Sequence, residues 1–282
     1  IPEAVHAITA DIRDPAATAE ALREHTFDVV VDWITFTPEQ VTIDLNLFRG
    51  RVGQYIFISS ASAYRKPPAR LPITEETPLD NPFWEYSRNK IACEETLMAA
   101  HRDEGFPATI VRPSHTYDCT LLPFRGGYTL IDRLRHGKPL LVHGDGTSLW
   151  TLTHHRDFAR AFIGLLGDPR AIGEAFHITS DEWLTWNEIA RLLGAAAGVA
   201  ARIAHVPSEA VARFDPDWGD SLLGDKSHCA IFDNSKIRTI VPGFAAEIPF
   251  ADGAREIVDW YDANPIRQRV DPFFDEQMDR II

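Results

Sequence analysis

Gln54-Tyr55-Ile56-Phe57-Ile58-Ser59 runs directly into Ser60-Ala61-Ser62-Ala63-Tyr64. The first six residues are nearly continuous in apolar and aromatic side chains, the pattern of a strand buried on both faces. A hydroxyl-rich turn comes next, then a Pro-rich loop (Pro67, Pro68, Pro72) and the acidic pair Glu75-Glu76. A helical segment is expected from about residue 84 to 104, and Ala108-Thr109-Ile110-Val111 then enters Arg112-Pro113 as the next strand. Such alternation implies right-handed crossovers and a parallel sheet. Ligands of open α/β sheets bind at the carboxyl ends of strands, where Ser60 and the residues after Arg112 both fall.

The helical segment carries Tyr86-Ser87-Arg88-Asn89-Lys90. Four residues is one helical turn, so Tyr86 and Lys90 project from one face. An ammonium beside a phenol stabilises the phenolate and lowers a pKa that is about 10 in a free Tyr. A phenol so tuned is a proton donor and acceptor near neutral pH. Ser60, at the end of the buried strand, is then expected to hold a substrate oxygen against it. The set suits moving a proton on or off a carbinol oxygen while hydride moves at carbon.

Outward from this centre the alternation continues. Residues 5–10 and 28–32 read as strands. Helices are expected over 15–25, with Asp14 as cap and Pro15 in the first turn, and over 38–48 behind Thr37. Further helices are expected near 128–136, from Thr185 to Leu193 behind a Thr185/Glu188 capping box, and over 250–261. Residues 215–225 read as a polar, turn-rich loop suited to covering a substrate, and 265–282 as a charged, aromatic tail.

The chain has 282 residues, enough for a sizeable core, and a net charge of −13 that argues against a nucleic-acid footprint. Cys93, Cys119 and Cys229 are odd in number and far apart, which points to reduced thiols of a cytoplasmic protein and not to a zinc site or disulfide frame. His154-His155 with Asp157 lacks a third ligand at sensible spacing, so no metal is expected. No apolar run approaches the roughly 20 residues that span a bilayer.

Taken together these segments resemble the extended short-chain dehydrogenase/reductase family, in its NAD-dependent epimerase/dehydratase branch. Ser60 in Ser59-Ser60-Ala61-Ser62-Ala63-Tyr64 matches the family's catalytic Ser or Thr, and Tyr86 and Lys90 its Tyr and Lys. Arg112-Pro113-Ser114-His115-Thr116-Tyr117 resembles the Arg-Pro-x-Asn-x-Tyr segment that borders nicotinamide and substrate. His143-Gly144-Asp145-Gly146 and Glu174-Ala175-Phe176-His177-Ile178 are similar to a later turn and strand. Ala10-Asp11-Ile12 is similar to the pair that touches adenine, and Asp32-Trp33-Ile34 to the strand end that lines the dinucleotide. The resemblance implies a Rossmann-like, doubly wound parallel α/β sheet with a smaller C-terminal substrate lobe. Residues 1–113 would form most of the dinucleotide-binding domain and 114–282 most of the substrate lobe and tail.

The same resemblance implies an NAD- or NADP-dependent enzyme with Ser60, Tyr86 and Lys90 as catalytic residues. Asp11, Ile12, Asp32, Trp33, Ile34, Ser59, Tyr86, Lys90, Pro113 and His115 are the expected cofactor contacts; Ser62, His115 and Trp150 are the expected substrate contacts. The substrate would be a sugar, a nucleotide sugar or a small carbonyl, and the assembly a homodimer. A non-catalytic dinucleotide- or RNA-binding relative, like the chloroplast stem-loop RNA-binding proteins, is the alternative. Two departures stand out. The sequence holds no G-x-x-G-x-x-G or G-x-G-x-x-G loop, and residues 5–10 read as the family's third strand. An opening βαβ unit of on the order of 30 residues is therefore expected to be missing, which would leave 5–10 without neighbours. Trp150 stands where relatives carry a diphosphate-gripping Arg, with Arg112 and Arg125 as candidate substitutes.

Overall fold

The computed structural model describes residues 3–282. Among the described residues ten strands are interspersed with helices: β1 (Phe27–Asp32), β2 (Val52–Ile58), β3 (Ala108–Pro113), β4 (His115–Tyr117), β5 (Leu140–His143), β6 (Leu149–Trp150), β7 (Leu152–His154), β8 (Ala175–Ile178), β9 (Leu184–Thr185) and β10 (Ile203–Val206). The helices are α1 (Pro15–Ala21), α2 (Pro38–Phe48), α3 (Glu85–Glu104), α4 (Tyr128–Arg135), α5 (His155–Ile163), α6 (Trp186–Ala196), α7 (Ser208–Phe214), α8 (Pro216–Ser221), α9 (Ser235–Ile240), α10 (Phe250–Asp262) and α11 (Pro272–Ile281). The main sheet is parallel, in the order β1-β2-β3-β8.

The period-2 alternation of β2 divides the core into two layers. Tyr55 and Phe57 pack with Val41 and Leu45 of α2 and with Cys93 and Leu97 of α3. Ile56 and Ile58 face the other way, onto Phe158 and Phe162 of α5 and Ile237 of α9. Helices on both sheet faces are what the continuous apolar reading of 54–59 required. A third and larger cluster joins Leu130 and Leu134 of α4, Ile189 and Leu193 of α6, and Ile257 and Val258 of α10. It is threaded by the parallel pair β5–β10.

Four expectations change. Residues 5–10 form no strand and lie exposed; among the described residues no strand pairs with them, so their backbone groups have no ladder to join. α1 ends at Ala21 instead of 25. The segment 215–225 is helical: Asp215 accepts from Trp218 N with Pro216 in the first turn, and α8 passes into a π-helical turn, Leu222–Lys226. The tail contains α11, started by Asp271 accepting from Phe273 N and Phe274 N. Its Phe274, Met278 and Ile281 fall on one face and join the third cluster. On the flank, Arg133 of α4 and Lys138 pair with Asp275 and Asp279.

The tail is thus part of the core. Phe274→Ala is expected to lower stability by about 3 kcal/mol, whereas Phe273→Ala, at a ring 74% exposed, should change it by less than about 0.5 kcal/mol. Urea unfolding of the two variants checks this, and equal effects would place α11 outside the core.

Candidate functional site

The site forms where β2 and β3 end. Ser60 follows β2 in extended conformation and caps a single 3-10 turn, Ala61–Ala63, by accepting from Ser62 N. Its hydroxyl lies 2.9 Å from that of Ser62, which accepts in turn from Ser87 Oγ at 2.7 Å. Asn81 ties the neighbourhood together. Its amide donates to Ser62 O at 2.8 Å and to Gly224 O at 2.6 Å, while its carbonyl accepts from Phe83 N and Trp84 N at the start of α3. The serine turn, the tyrosine helix and the 222–226 turn therefore share one anchor.

A cavity of about 230 Å³ opens between these elements, lined among others by Ser60, Ser62, Tyr86, Pro113, His115 and Trp150. Six of the expected site residues, drawn from positions 60 to 150, meet in this one space. Burial raises the Tyr86 pKa above that of a free phenol; the hydroxyl of Ser60 pulls it down in part, and Asp225 pushes it up. The phenol is therefore protonated at neutral pH, the state that donates a proton to a carbonyl oxygen.

Lys90 lies one turn on, with only 2% of its surface exposed. Its ammonium donates to Thr35 O at 2.7 Å and Ile58 O at 2.8 Å, between the rings of Phe36 and Phe57. It stands 6.0 Å from the centre of the Tyr86 ring. The expected lowering of the phenol pKa by Lys90 is not what this geometry gives: two carbonyls hold the cation, and desolvation governs the phenol. Burial lowers the pKa of Lys90 as well. One of its three N–H bonds has no partner among the described residues.

A second group of expected residues lines a different cavity. Ile12, Asp32, Trp33 and Ile34 surround about 280 Å³ at the end of β1. Asp32 turns the chain there by accepting from Ile34 N and Thr35 N, which leaves Trp33 and Ile34 half-exposed. These exposed apolar faces are surfaces a dinucleotide can pack on, while Lys90 itself lines neither cavity. Asp11 and Ser59 are placed otherwise. The carboxylate of Asp11 is exposed and held by Arg13, and the hydroxyl of Ser59 is buried against Glu94; neither residue lines either of these two cavities. Arg112 is not available to an anion either: it forks onto Glu94 and touches Tyr64 Oη, beneath the sheet end. Arg125 pairs with Asp215 at 3.0 Å.

Trp150 acts on its neighbour more than on open space. Its indole N–H donates to His115 Nδ1 at 3.1 Å. An accepting Nδ1 forces the proton of the neutral ring onto Nε2. Burial, with Lys226 nearby, pushes the His115 pKa down to about 3, so the ring is neutral. Residues not anticipated from sequence also line the space: Trp84, Asp225, Lys226 and Phe232. They belong to no motif; only the expectation of a cover over 215–225 pointed toward one of them, Asp225, and stopped short of Lys226.

A family model, the NAD dependent epimerase/dehydratase family, matches residues 1–179. The chain belongs to that family. Among curated proteins it is 29% identical to 2'-dehydrokanamycin reductase of Streptomyces kanamyceticus over 86% of this chain and 69% of that one. It is 30% identical to dTDP-glucose 4,6-dehydratase of Streptomyces niveus over 77% of this chain, and spans 59% of that relative's length. The fold matches the crystal structure of dTDP-glucose 4,6-dehydratase from Bacillus anthracis in complex with NAD, with TM-score 0.74 and 20% identity over 91% of this chain and 79% of that one. The expectations of a Rossmann-like α/β fold, of NAD-dependent enzyme chemistry and of NAD as cofactor agree with these findings. No helix is long and apolar enough to cross a membrane among the described residues.

Acid should destabilise this site. Burial depresses His115 to about 3 and His143 to about 4, below the unfolded value near 6.5. The unfolded chain therefore binds more protons below pH 6.5, and stability contributed by the neutral rings is present above that pH and lost as pH falls toward 4. Each ring should cost about 2 kcal/mol by pH 5, read as a falling melting temperature between pH 7 and 5. A His143→Gln variant should show a shallower fall; an unchanged slope would mean that His143 titrates normally.

Proposed function

We propose that the protein is an NAD(P)-dependent oxidoreductase of the epimerase/dehydratase type acting at a carbinol or carbonyl carbon of a sugar derivative. The observation that carries this reading is the meeting of Ser60 and Tyr86 in one cavity at the strand ends, with Lys90 one turn beyond. In this reading residues 1–113, with β8 returning to the sheet, hold the dinucleotide, and most of 114–282 encloses the substrate. The nicotinamide, when bound, would supply the redox partner: its oxidised form would accept a hydride from the carbinol carbon, and its reduced form would give one to the carbonyl.

Ser60 orients the reacting oxygen, and Tyr86 passes the proton at that oxygen. The protonated phenol is ready for the reductive direction. Lys90 holds the cofactor ribose with its spare N–H bond, while its two carbonyl contacts keep it from swinging out. His115 presents Nε2–H to the substrate, and Ser62 steadies Ser60. The three free cysteines support a reducing, cytoplasmic setting; the homodimer rests on the family resemblance.

Tyr86→Phe should lower turnover by roughly 10²-fold or more while NAD affinity stays within a few-fold of the unaltered protein. Nicotinamide absorbance and fluorescence read the two quantities. Turnover near that of the unaltered protein would remove Tyr86 from acid/base work.

A further inference from the structure

Lys226 ends the π-helical turn Leu222–Lys226 and lines both the Ser60–Tyr86 cavity and a neighbouring cavity of about 270 Å³. Its backbone is fixed on every side. His143 Nε2 donates to its carbonyl at 2.9 Å and Ser148 Oγ does so at 3.1 Å. Two residues back, Gly224 is pressed so closely on α3 that an added Cβ would fall 2.6 Å from Trp84 Cβ. The ammonium itself stands 5.7 Å from the Trp84 ring, which lines the same cavity.

What the ammonium lacks is an anion. Among the described residues no carboxylate lies within salt-bridge distance of it and no side chain or carbonyl accepts from it. Asp225, the adjacent acid on the wall, is taken by the buried ammonium of Lys66 at 2.8 Å. The other cations near the cavities are likewise engaged, Arg112 by Glu94 and Arg125 by Asp215. Lys226 is thus the one unpaired positive charge on the wall among the described residues, and its field reaches His115 and His143. Burial lowers the pKa of Lys226, with Asp225 opposing in part; a desolvated ammonium without a paired anion is costly unless a counter-charge arrives.

We propose that Lys226 is the substrate's anion anchor: it binds a carboxylate or phosphoryl oxygen carried by the sugar, with the His115 Nε2–H as a neutral second donor, while Ser60 and Tyr86 hold the reacting oxygen. The class of substrate is then an acidic sugar or sugar phosphate, and a polycationic aminosugar is disfavoured at this wall. The anchor replaces the guanidinium missing at Trp150: charge comes from the 222–226 turn instead of the strand. This inference rests on the reading of the Ser60–Tyr86 cavity as the substrate site.

The test is calorimetric titration of the full chain, with and without NAD, using glucose 1-phosphate, glucuronate and glucose as probes. The unaltered protein should bind at least one of the two anionic sugars at least 10-fold tighter than glucose, and which one distinguishes a phosphoryl from a carboxylate ligand. Lys226→Met should weaken the anionic probe by 10-fold or more, Lys226→Arg should restore it to within about 3-fold, and glucose and NAD should bind all three proteins alike. Equal affinity for anionic and neutral sugars, or Lys226→Met binding the anion as the unaltered protein does, overturns the proposal. So does a Lys226→Arg protein that melts normally but binds no better than Lys226→Met. Failure of NAD to bind would count against the oxidoreductase reading, while the anion titrations would still decide the role of Lys226.

Discussion

A buried ammonium with no carboxylate partner sets the geometry of this molecule. Lys90 is held by Thr35 O, just past the end of β1, and by Ile58 O, at the end of β2. Burying a cation without hydrogen-bond partners would cost several kcal/mol, so the two strand ends and α3 must stay in one register to supply them. That register carries Tyr86, one turn earlier, to the mouth of β2 where Ser60 sits. The distance from helix to sheet is thus set by a charge that must be satisfied, with the aromatic faces of Phe36 and Phe57 on its flanks.

The same constraint explains how the site divides its tasks. Two carbonyls use two of the lysine's N–H bonds, and the remaining one has no partner among the described residues. The phenol is left to be governed by burial and by Ser60, so it rests protonated. A lysine that served the phenol directly would have to leave a carbonyl unpaired. The cation acts through position: it fixes where α3, and with it Tyr86, meets the strand ends.

Much of this was legible in the sequence because the sheet is regular. The apolar run 54–59, the Pro-bounded starts of α1 and α2, and the capping box at Thr185 and Glu188 each encode structure within a few residues. Ser60, Ser62, Tyr86, Pro113, His115 and Trp150 were placed by motif, and the fold brings them to one cavity. What was not legible depends on distant partners. Residues 5–10 carry strand-like side chains, and only the absent glycine loop, not their own composition, signalled that they would lack a neighbour to bond to. The 215–225 segment is rich in turn formers, yet Asp215 and Pro216 make an N-terminal helix cap. Arg112 reads as a free guanidinium until Glu94, on another element, is seen to hold it.

The exchange at Trp150 shows why a missing motif residue need not mean a missing function. An indole cannot carry charge, but its N–H fixes the His115 tautomer, and so turns a titratable ring into a one-way donor. A neutral donor recognises oxygen without regard to charge. Discrimination for an anion then has to come from elsewhere on the wall, and the rigidly seated Lys226 is where an unbalanced positive charge remains. A guanidinium on a strand would grip two oxygens in a fixed plane; an ammonium on a turn offers a point charge with looser angular demands. On the proposed role of Lys226, the wall selects a substrate by sign of charge more than by the shape of a diphosphate.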